Sequence, residues 1–407
     1  MAKPTIITGL DIGTSAIKIL VSSKKPEESE LEVLSLAQEP SVGVRKGVVV
    51  GVEETSEALV NILEKARKDT GLKIDSVYLN VNGSHIFSIS SHGTVVVSRA
   101  DQKISEEDIE RVLQAAQTFS LPSNKEVFDV FPKEFSVDGQ SGIREVLGLQ
   151  GVRLEAEVLA MAGFSPYLKN LTQTVLNSDL QVLDMIPSPI AASRAVLTPR
   201  QKELGVALVD IGAGTTGLTV FEEGNLIYLA ILPIGAANIT NDIAIGLKTD
   251  IDIAERIKLE YGTCLFKGSD KKSVSRRKEK IEINEEEPLV FSQKQLASII
   301  EARISEIFDQ IHKELKKIGK EKLLPSGVVL TGGGAKLPKI TELAKKELKL
   351  PVKIGKPKGF LNLDDPVWSV CCGLVLTMVD LGEKEKTFEF GKGIGSKIKK
   401  IFKIFIP

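Results

Sequence analysis

The chain has few of the side chains that form disulfides or hold metals. Its 407 residues include three cysteines and three histidines. Neither residue type recurs at a metal-ligand spacing, and the adjacent Cys371 and Cys372 are poor partners for a disulfide. This composition argues against a disulfide scaffold and a metal-finger class, and it favours a reducing cytoplasm.

The sequence also lacks an excess of charge of one sign. Its net charge of −1 argues against binding to nucleic acid through bulk charge, so no nucleic-acid partner is expected. Long apolar runs are missing too. Asp11 and Lys18 interrupt the N-terminal apolar stretch, which indicates strands rather than a signal peptide. The apolar segment 367–379 is too short to span a bilayer and is expected in the core.

Two glycine-containing turns stand out in what remains, each between two strand-like runs. They lie in segments 6–21 and 208–220, and each predicts a β-hairpin whose tip holds phosphate. Glycines let the backbone approach an anion, and threonines add hydroxyl donors. Asp11 and Asp210 end the first strand of each hairpin. A carboxylate beside phosphate predicts an intervening Mg²⁺, held largely through waters. Two such hairpins half a chain apart suggest an internal duplication.

A third motif follows near the C-terminal end. Segment 327–338 is an apolar strand, then the consecutive Gly332, Gly333 and Gly334, then a helix starting near Pro338. A backbone without side chains can lie flat against a base, ribose or phosphate, and a helix N-terminus favours an anion. Together the three motifs predict a nucleotide site.

The segment 84–163 has a different texture and predicts a small α+β insert with its own core. The alternating stretch 85–98 predicts a surface hairpin. Ser105 and Asp108 predict a capped N-terminus for a helix over 105–120. Elsewhere, the charge run 267–287 is expected to be a solvated loop or an exposed hairpin.

The tail 391–407 has an apolar stripe and a basic face without acidic residues. This pattern predicts a helix lying on an anionic membrane, with each lysine contributing about 1 kcal/mol. The alternative is a helix docked on the protein's own core. The membrane-facing prediction comprises Ile394, Lys397, Ile398, Lys400, Ile401, Phe402 and Phe405.

These motifs, in this order, resemble the actin-like ATPase superfamily and within it the FtsA family of bacterial cell-division proteins. The resemblance is carried by Asp11–Ser15 with Lys18, by helix 300–307, by 329–335, by the insert after Asn82 and by the tail. It implies an α/β, two-lobed actin-like ATPase fold of duplicated ribonuclease-H-like lobes, with an FtsA-type inserted subdomain and a C-terminal amphipathic helix. The expected divisions are a first lobe (1–83 with 164–203), its inserted subdomain (84–163), a second lobe (204–234 with 306–381), its inserted subdomain (235–305), a linker (382–391) and the membrane helix (392–407).

The resemblance also implies an ATP site with Mg²⁺, in which Asp11 and Asp210 serve the metal and its waters. Glu255 and Lys258 resemble a pair that contacts ribose and adenine, although a solvent-facing charged pair is an equal alternative. The full expected set is Asp11, Gly13, Thr14, Ser15, Lys18, Asp210, Gly212, Gly214, Thr215, Thr216, Glu255, Lys258, Gly332, Gly333 and Gly334.

Relatives that hydrolyse ATP well place Glu or Gln around the crossing between the lobes, and in bacterial filament relatives it comes before a proline. Here Ser188 precedes Pro189. A serine orients an attacking water poorly, so slow or negligible turnover is expected, with ATP acting as a clamp and polymerisation switch. No catalytic residue is assigned.

The resemblance implies a filament-forming protein that tethers FtsZ to the inner face of the cytoplasmic membrane at the division site. The C-terminal peptide of FtsZ is expected on the second lobe's inserted subdomain, with Lys294 and Arg303 as contacts. Exposed helix-face charge is the alternative for these two residues. The 84–163 insert is expected to meet other protomers and other division proteins. Two rival functions remain: a pilus-assembly adaptor and a sugar or acetate kinase of the same superfold.

Overall fold

The protein is described from a computed structural model that covers residues 4–25, 28, 30–118, 120–266, 280–283 and 289–387. The predicted tail helix 392–407, with its membrane-facing residues, lies outside this range. So do most of the charge run 267–287 and residues 388–391 of the predicted linker. Residues 382–387 of that linker are helical, because the last described helix continues through Thr387.

The first lobe is built on a five-stranded sheet with the order β11-β6-β1-β2-β3. β1 and β2 form the predicted N-terminal hairpin, and β1 also pairs with β6 in parallel. The elements up to the insertion are β1 (Thr5–Ile12), β2 (Ala16–Lys24), β3 (Glu32–Pro40), β4 (Val44–Arg45), β5 (Val48–Val49), α1 (Val52–Thr70) and β6 (Ser76–Val81).

An inserted domain follows, formed by a four-stranded antiparallel sheet with the order β7-β10-β8-β9 and a helix, α2, packed on it. It has its own apolar core, which includes Val112, Leu113, Phe135 and Val158. Its elements are β7 (Phe87–Val96), α2 (Glu106–Ala116), β8 (Lys125–Val137), β9 (Gln140–Ile143) and β10 (Arg153–Phe164).

The hairpin predicted over 85–98 is wrong. The segment is one strand, β7, which pairs with β10 along its whole length. The prediction rests on alternating polarity, which fits any half-exposed strand and does not by itself indicate a turn. A Cβ atom on Gly93 would lie 2.2 Å from the carbonyl oxygen of Val112. This glycine therefore lets α2 approach the strand.

The chain then returns to the first lobe and crosses to the second. The crossing helix α4 (Ser188–Val196) packs closely against α10 (Ser369–Thr387), the last helix of the described residues. A Cβ atom on Gly373 of that last helix would lie 1.7 Å from the carbonyl oxygen of Ala191. The returning elements are α3 (Ser165–Leu176), β11 (Gln181–Pro187), α4 (Ser188–Val196) and α5 (Pro199–Leu204).

The second lobe repeats the sheet of the first, with the order β14-β13-β12-β17-β18. Again the first two strands form a hairpin, and again the first strand pairs in parallel with the fourth. Its elements are β12 (Val206–Ile211), β13 (Thr216–Glu222), β14 (Asn225–Leu232), α6 (Ala236–Leu247), α7 (Ile251–Tyr261), β15 (Lys280–Ile283), β16 (Leu289–Ser292), α8 (Gln293–Lys317), β17 (Val328–Thr331), α9 (Ile340–Leu348), β18 (Val352–Ile354) and α10 (Ser369–Thr387).

The shared topology confirms the predicted duplication. One helix, α8, crosses the predicted boundary at residue 305, and one apolar core spans both sides of it. Among the described residues, no helix combines the length and apolar character needed to cross a membrane.

Candidate functional site

The two predicted phosphate-holding turns meet at the cleft between the lobes. Each is closed by a backbone hydrogen bond, from Gly13 to Ala16 (3.1 Å) and from Gly212 to Thr215 (2.9 Å). A Cβ atom on Gly214 would lie 2.6 Å from the hydroxyl oxygen of Thr14. The tips can touch only because position 214 has no side chain.

Two carboxylates, Asp11 and Asp210, and the ammonium group of Lys18 lie close together at the base of the two tips. The Lys18 Nζ lies 3.0 Å from the Asp11 carboxylate, which is 5% exposed. Burial and, to a smaller extent, the negative charge of Asp11 raise the pKa of Asp210 to about 7, while the charge of Lys18 opposes the shift. Burial alone would lower the pKa of Lys18, but the charge and hydrogen bond of Asp11 hold it above its ordinary value. A carboxylate such as Asp210, whose charge is disfavoured by burial and by a second carboxylate, suits a divalent cation.

The sequence reading missed Asn80, which organises this site from below. Its side-chain amide donates to Asp11 Oδ1 (2.7 Å) and to Ser188 Oγ (3.0 Å). Its carbonyl oxygen accepts from the Ile12 backbone N–H (2.7 Å). A lone asparagine in the apolar strand β6 was an available signal, because a buried amide needs partners.

Ser188 lies beneath Asp11 rather than in the cleft. It is 2% exposed, and besides accepting from Asn80 it donates weakly to the Val81 carbonyl oxygen (3.4 Å). Its hydroxyl group is therefore engaged within the protein.

The triple glycine packs the end of β17 against the end of β12. Gly332 has a positive φ of 82°, and a Cβ atom there would lie 2.3 Å from Asp210 Oδ1. Gly334 approaches Ile211 as closely. Gly333 is exposed. The motif forms a short 3₁₀ turn over Gly333–Lys336, and α9 begins at Ile340 rather than near Pro338.

Glu255 and Lys258 form a network with Thr240, another residue that the sequence reading missed. Lys258 is 7% exposed and its Nζ donates to Glu255 (2.6 Å) and to Thr240 Oγ1 (2.8 Å). Thr240 also donates to Glu255. The network rests on α6, whose Ala236 N–H donates to the Gly212 carbonyl oxygen at the hairpin tip (2.8 Å). The lysine is thus a buried group beside the site, not a solvent-facing one.

Some predicted residues are not brought into the cluster. Ser15 is exposed, and the buried Thr216 hydroxyl donates to the Ile234 carbonyl oxygen (2.8 Å). Within the described part of the chain, no three His, Cys, Asp or Glu side chains are grouped to hold a metal by themselves.

The two residues predicted to contact a partner peptide do not form one surface. Lys294 is exposed, whereas the Arg303 guanidinium makes two hydrogen bonds to Asp242 (2.6 and 2.8 Å) and pairs with Glu306. Their spacing of nine residues puts them half a turn out of phase on α8.

Comparison with known proteins fits this architecture. Residues 207–373 match the family described as "Cell division protein FtsA", and residues 83–162 match "SHS2 domain inserted in FTSA". The FtsA of Pseudomonas aeruginosa is 37% identical over 91% of this chain and 88% of the relative. That of Bacillus subtilis is 35% identical over 91% and 82%.

Solved structures support the fold. The PilM–PilN type IV pilus biogenesis complex aligns with a TM-score of 0.63, at 18% identity over 91% of this chain and 97% of the other. MreB5 of Spiroplasma citri bound to AMPPNP aligns with a TM-score of 0.57, at 13% identity over 95% and 99%. The chain has the two-lobed actin-like ATPase fold with an SHS2 insertion, and it belongs to the FtsA family of cell division proteins.

Proposed function

We propose that this chain binds ATP with Mg²⁺, polymerises as an actin-like filament and tethers FtsZ filaments to the inner face of the cytoplasmic membrane. The observation that carries the proposal is the contact between the two hairpin tips, with Asp11 and Asp210 interacting beneath them. Bound Mg²⁺ would neutralise charge on the phosphates and on these carboxylates. Membership of the FtsA family supports cell division as the process.

In this proposal the tips hold the phosphates and the second lobe holds the nucleoside. Backbone N–H groups around Gly13, Gly212 and Gly214 suit an anion, as does the ammonium group of Lys18. Glu255 and Lys258 contact ribose and adenine, and the backbone of 332–334 lies against the adenosine. Thr14 and Thr215 add hydroxyl donors, while Ser15 and Thr216 contribute their backbone.

Turnover is slow in this proposal, because the side chain before the proline at the lobe crossing, Ser188, is engaged within the protein and does not orient water. Ser188 and Asn80 are buried and hydrogen-bonded to each other and to Asp11. Positioning water is most of what a protein supplies in phosphoryl transfer. We expect phosphate release far below the roughly 1–100 s⁻¹ of kinases. Brisk release by the purified protein alone would refute this part.

The membrane and FtsZ contacts rest on sequence and family. The basic, apolar-striped tail 392–407 would lie on anionic lipid, and the linker 382–391 would keep the body near the surface. For an acidic FtsZ peptide, Lys294 offers an accessible charge. Arg303 would have to leave Asp242 before it could contribute its guanidinium.

Electron microscopy on anionic lipid monolayers tests the proposal. We expect filaments with ATP, none without nucleotide, and none when the chain ends at Phe390. Adding FtsZ to the filaments should then bring FtsZ to the lipid. If nothing assembles while nucleotide still binds, a pilus-type adaptor or a small-molecule kinase becomes the better assignment. ADP production stimulated by a metabolite would favour the kinase.

A further inference from the structure

One histidine joins both covalent connections between the first lobe and the inserted domain. His85 lies on the outgoing connection, and its Nε2 makes a hydrogen bond to the Asn82 carbonyl oxygen (3.1 Å). Its Nδ1 accepts from the backbone N–H of Phe164, on the returning connection (3.2 Å). Tyr167 packs edge-on against the His85 ring, with centroids 5.1 Å apart. The two connections therefore cannot shift independently without breaking these contacts.

The neighbouring residue Asn82 connects this junction to the candidate nucleotide site. Its side-chain amide donates across the cleft to the hydroxyl of Thr215, on the hairpin tip of the second lobe (3.1 Å). On the first-lobe side it packs against Gly47, where an added Cβ atom would lie 2.9 Å from Asn82 Cγ. The Gly47 N–H in turn donates to the Thr14 hydroxyl (2.9 Å). Both hairpin tips are thus within one or two contacts of Asn82.

A separate surface joins the inserted domain to the second lobe. Arg144 donates to the Glu223 carbonyl oxygen at the β13–β14 turn and lies 3.5 Å from the Glu203 carboxylate. β14 also packs against β7 and β8, with Leu229 and Ile231 in the same apolar cluster as Phe131. A movement of the second lobe relative to the first would therefore displace the inserted domain through two contacts, the junction at Asn82 and His85 and the surface at Arg144 and β14.

We propose that Asn82 and His85 couple closure of the two lobes on a nucleotide to the orientation of the inserted domain. The inference rests on the proposed ATP site and adds a consequence of its occupancy. When phosphate separates or repositions the Thr14 and Thr215 tips, Asn82 moves with them. His85 then transmits the shift to both connections at once, so the domain turns as a body. The rigid sheet of the inserted domain carries this rotation to its far end.

Spin-label distance measurements on the full chain test the coupling. Val96→Cys on the inserted domain and Lys73→Cys on the first lobe place labels at exposed positions. Native Cys264, Cys371 and Cys372 are all buried. We expect the distance distribution of this labelled pair to shift on adding ATP and Mg²⁺. His85→Phe keeps a ring against Tyr167 but removes both hydrogen bonds, and it should reduce the shift at least by half.

A second variant and a control keep the test decisive. Asn82→Leu is nearly isosteric and uncharged but can neither donate to nor accept from Thr215, and it should reduce the shift in the same way. Asn177→Ala, at an exposed helix end far along the chain from the junction, should leave the shift unchanged. An unchanged shift in both junction variants would overturn the coupling, as would the absence of any shift in a parent that binds fluorescent ATP. If the parent does not bind ATP, the proposed function itself fails.

Discussion

Asp11 is held from two sides by groups of different kind. Lys18 supplies a positive charge at 3.0 Å, and Asn80 supplies a neutral amide donor at 2.7 Å. The same amide carbonyl fixes the backbone at Ile12, where the strand turns into the hairpin tip. Asn80 therefore helps to orient the carboxylate and also fixes the position of the tip.

Replacing Asn80 with alanine should weaken nucleotide binding. The change releases the Asp11 carboxylate and leaves the buried Ile12 N–H without a partner, which costs about 1–3 kcal/mol. We expect roughly tenfold weaker ATP affinity, because 1.4 kcal/mol corresponds to a factor of ten. Titration with a fluorescent ATP analogue measures it. Asn177→Ala, at an exposed helix end, is the matched control. Equal affinities in a folded Asn80→Ala protein would contradict the role given to this amide.

Asp108 places a hydrogen-bonded carboxylate in the first turn of α2 in the inserted domain. It is fully buried and accepts from Ser105, which it caps reciprocally, from Ser98 and from Arg111. Burial alone would raise its pKa, but the hydrogen bonds from Ser105, Ser98 and Arg111 hold the pKa well below the usual range.

Stability of the inserted domain should therefore fall in acid through Asp108. A carboxyl whose pKa is lowered by folding stabilises the fold above its unfolded pKa of about 3.9 and loses that contribution as the pH falls through its folded value. We expect wild type to lose stability more steeply than Asp108→Asn below about pH 4. The free energy of opening of α2, obtained from amide hydrogen exchange at pH 5 and at several values below pH 4, measures this. Parallel profiles for the two proteins would show that the charge contributes nothing.

The two helices that cross between the lobes, α4 and α10, form one unit at the element scale. Small residues let their backbones approach, with Gly373 directly over the Ala191 carbonyl oxygen. The surrounding side chains, including Ala192, Ala195 and Leu374, are fully or almost fully buried. The close packing ties these two helices together, so they should move as one unit.

Gly373→Ala should destabilise the molecule. The added methyl would overlap a backbone oxygen, and overpacking of this kind costs about 1–3 kcal/mol or more, beyond the gain of about 1 kcal/mol in helix propensity. A lower midpoint of thermal unfolding is the expected result. Gly71→Ala provides the comparison: its φ is +66° but nothing lies within 4 Å of the added atom. It should cost only the left-handed backbone strain, about 1 kcal/mol. A smaller effect at 373 than at 71 would refute the steric argument.

Elements with strong local signals were predictable from the sequence, and those set by tertiary contact were not. Both hairpins and the capped start of α2 carry their own turn or capping residues. The stretch 85–98 carries no such local signal. Its glycine, Gly93, is required by close packing against α2, which comes later in the chain. The roles of Asn80 and Thr240 were not predicted for the same reason. Asn80 binds Asp11 and Thr240 binds Glu255, and each of these partners is at least 15 residues away in the chain.

For the whole molecule, the same sheet order in both lobes confirms the two-lobed fold that the three motifs imply through their resemblance to actin-like ATPases. Each of the first two motifs forms a hairpin in its own lobe, which is why a duplication could be predicted from the sequence. The motifs gave no sign of the contacts that Arg144 and β14 make between the inserted domain and the second lobe. Such contacts depend on how folded units dock, which short patterns do not encode.

The membrane attachment proposed for the whole molecule has a direct test. A chain ending at Phe390 loses every residue of the basic apolar tail while keeping all described helices. It should stay in the supernatant with anionic liposomes that sediment the full chain, because the apolar face and the lysines provide the binding. Full-chain binding should also weaken at high salt. Sedimentation of both proteins alike would place the anchor elsewhere.

The packing of α10 against β1 has a consequence for how the protein is made. A Cβ atom on Gly9 would contact the Cys371 carbonyl oxygen at 2.8 Å, and Tyr78 reaches Met378. One face of β1 is thus covered by α10, a helix that is synthesised much later. Protein synthesis proceeds at about 5–20 residues per second, so roughly 20–70 s pass between the synthesis of β1 and that of α10. The first lobe therefore exposes part of its apolar sheet until α10 is made, and that face needs protection from aggregation in the meantime.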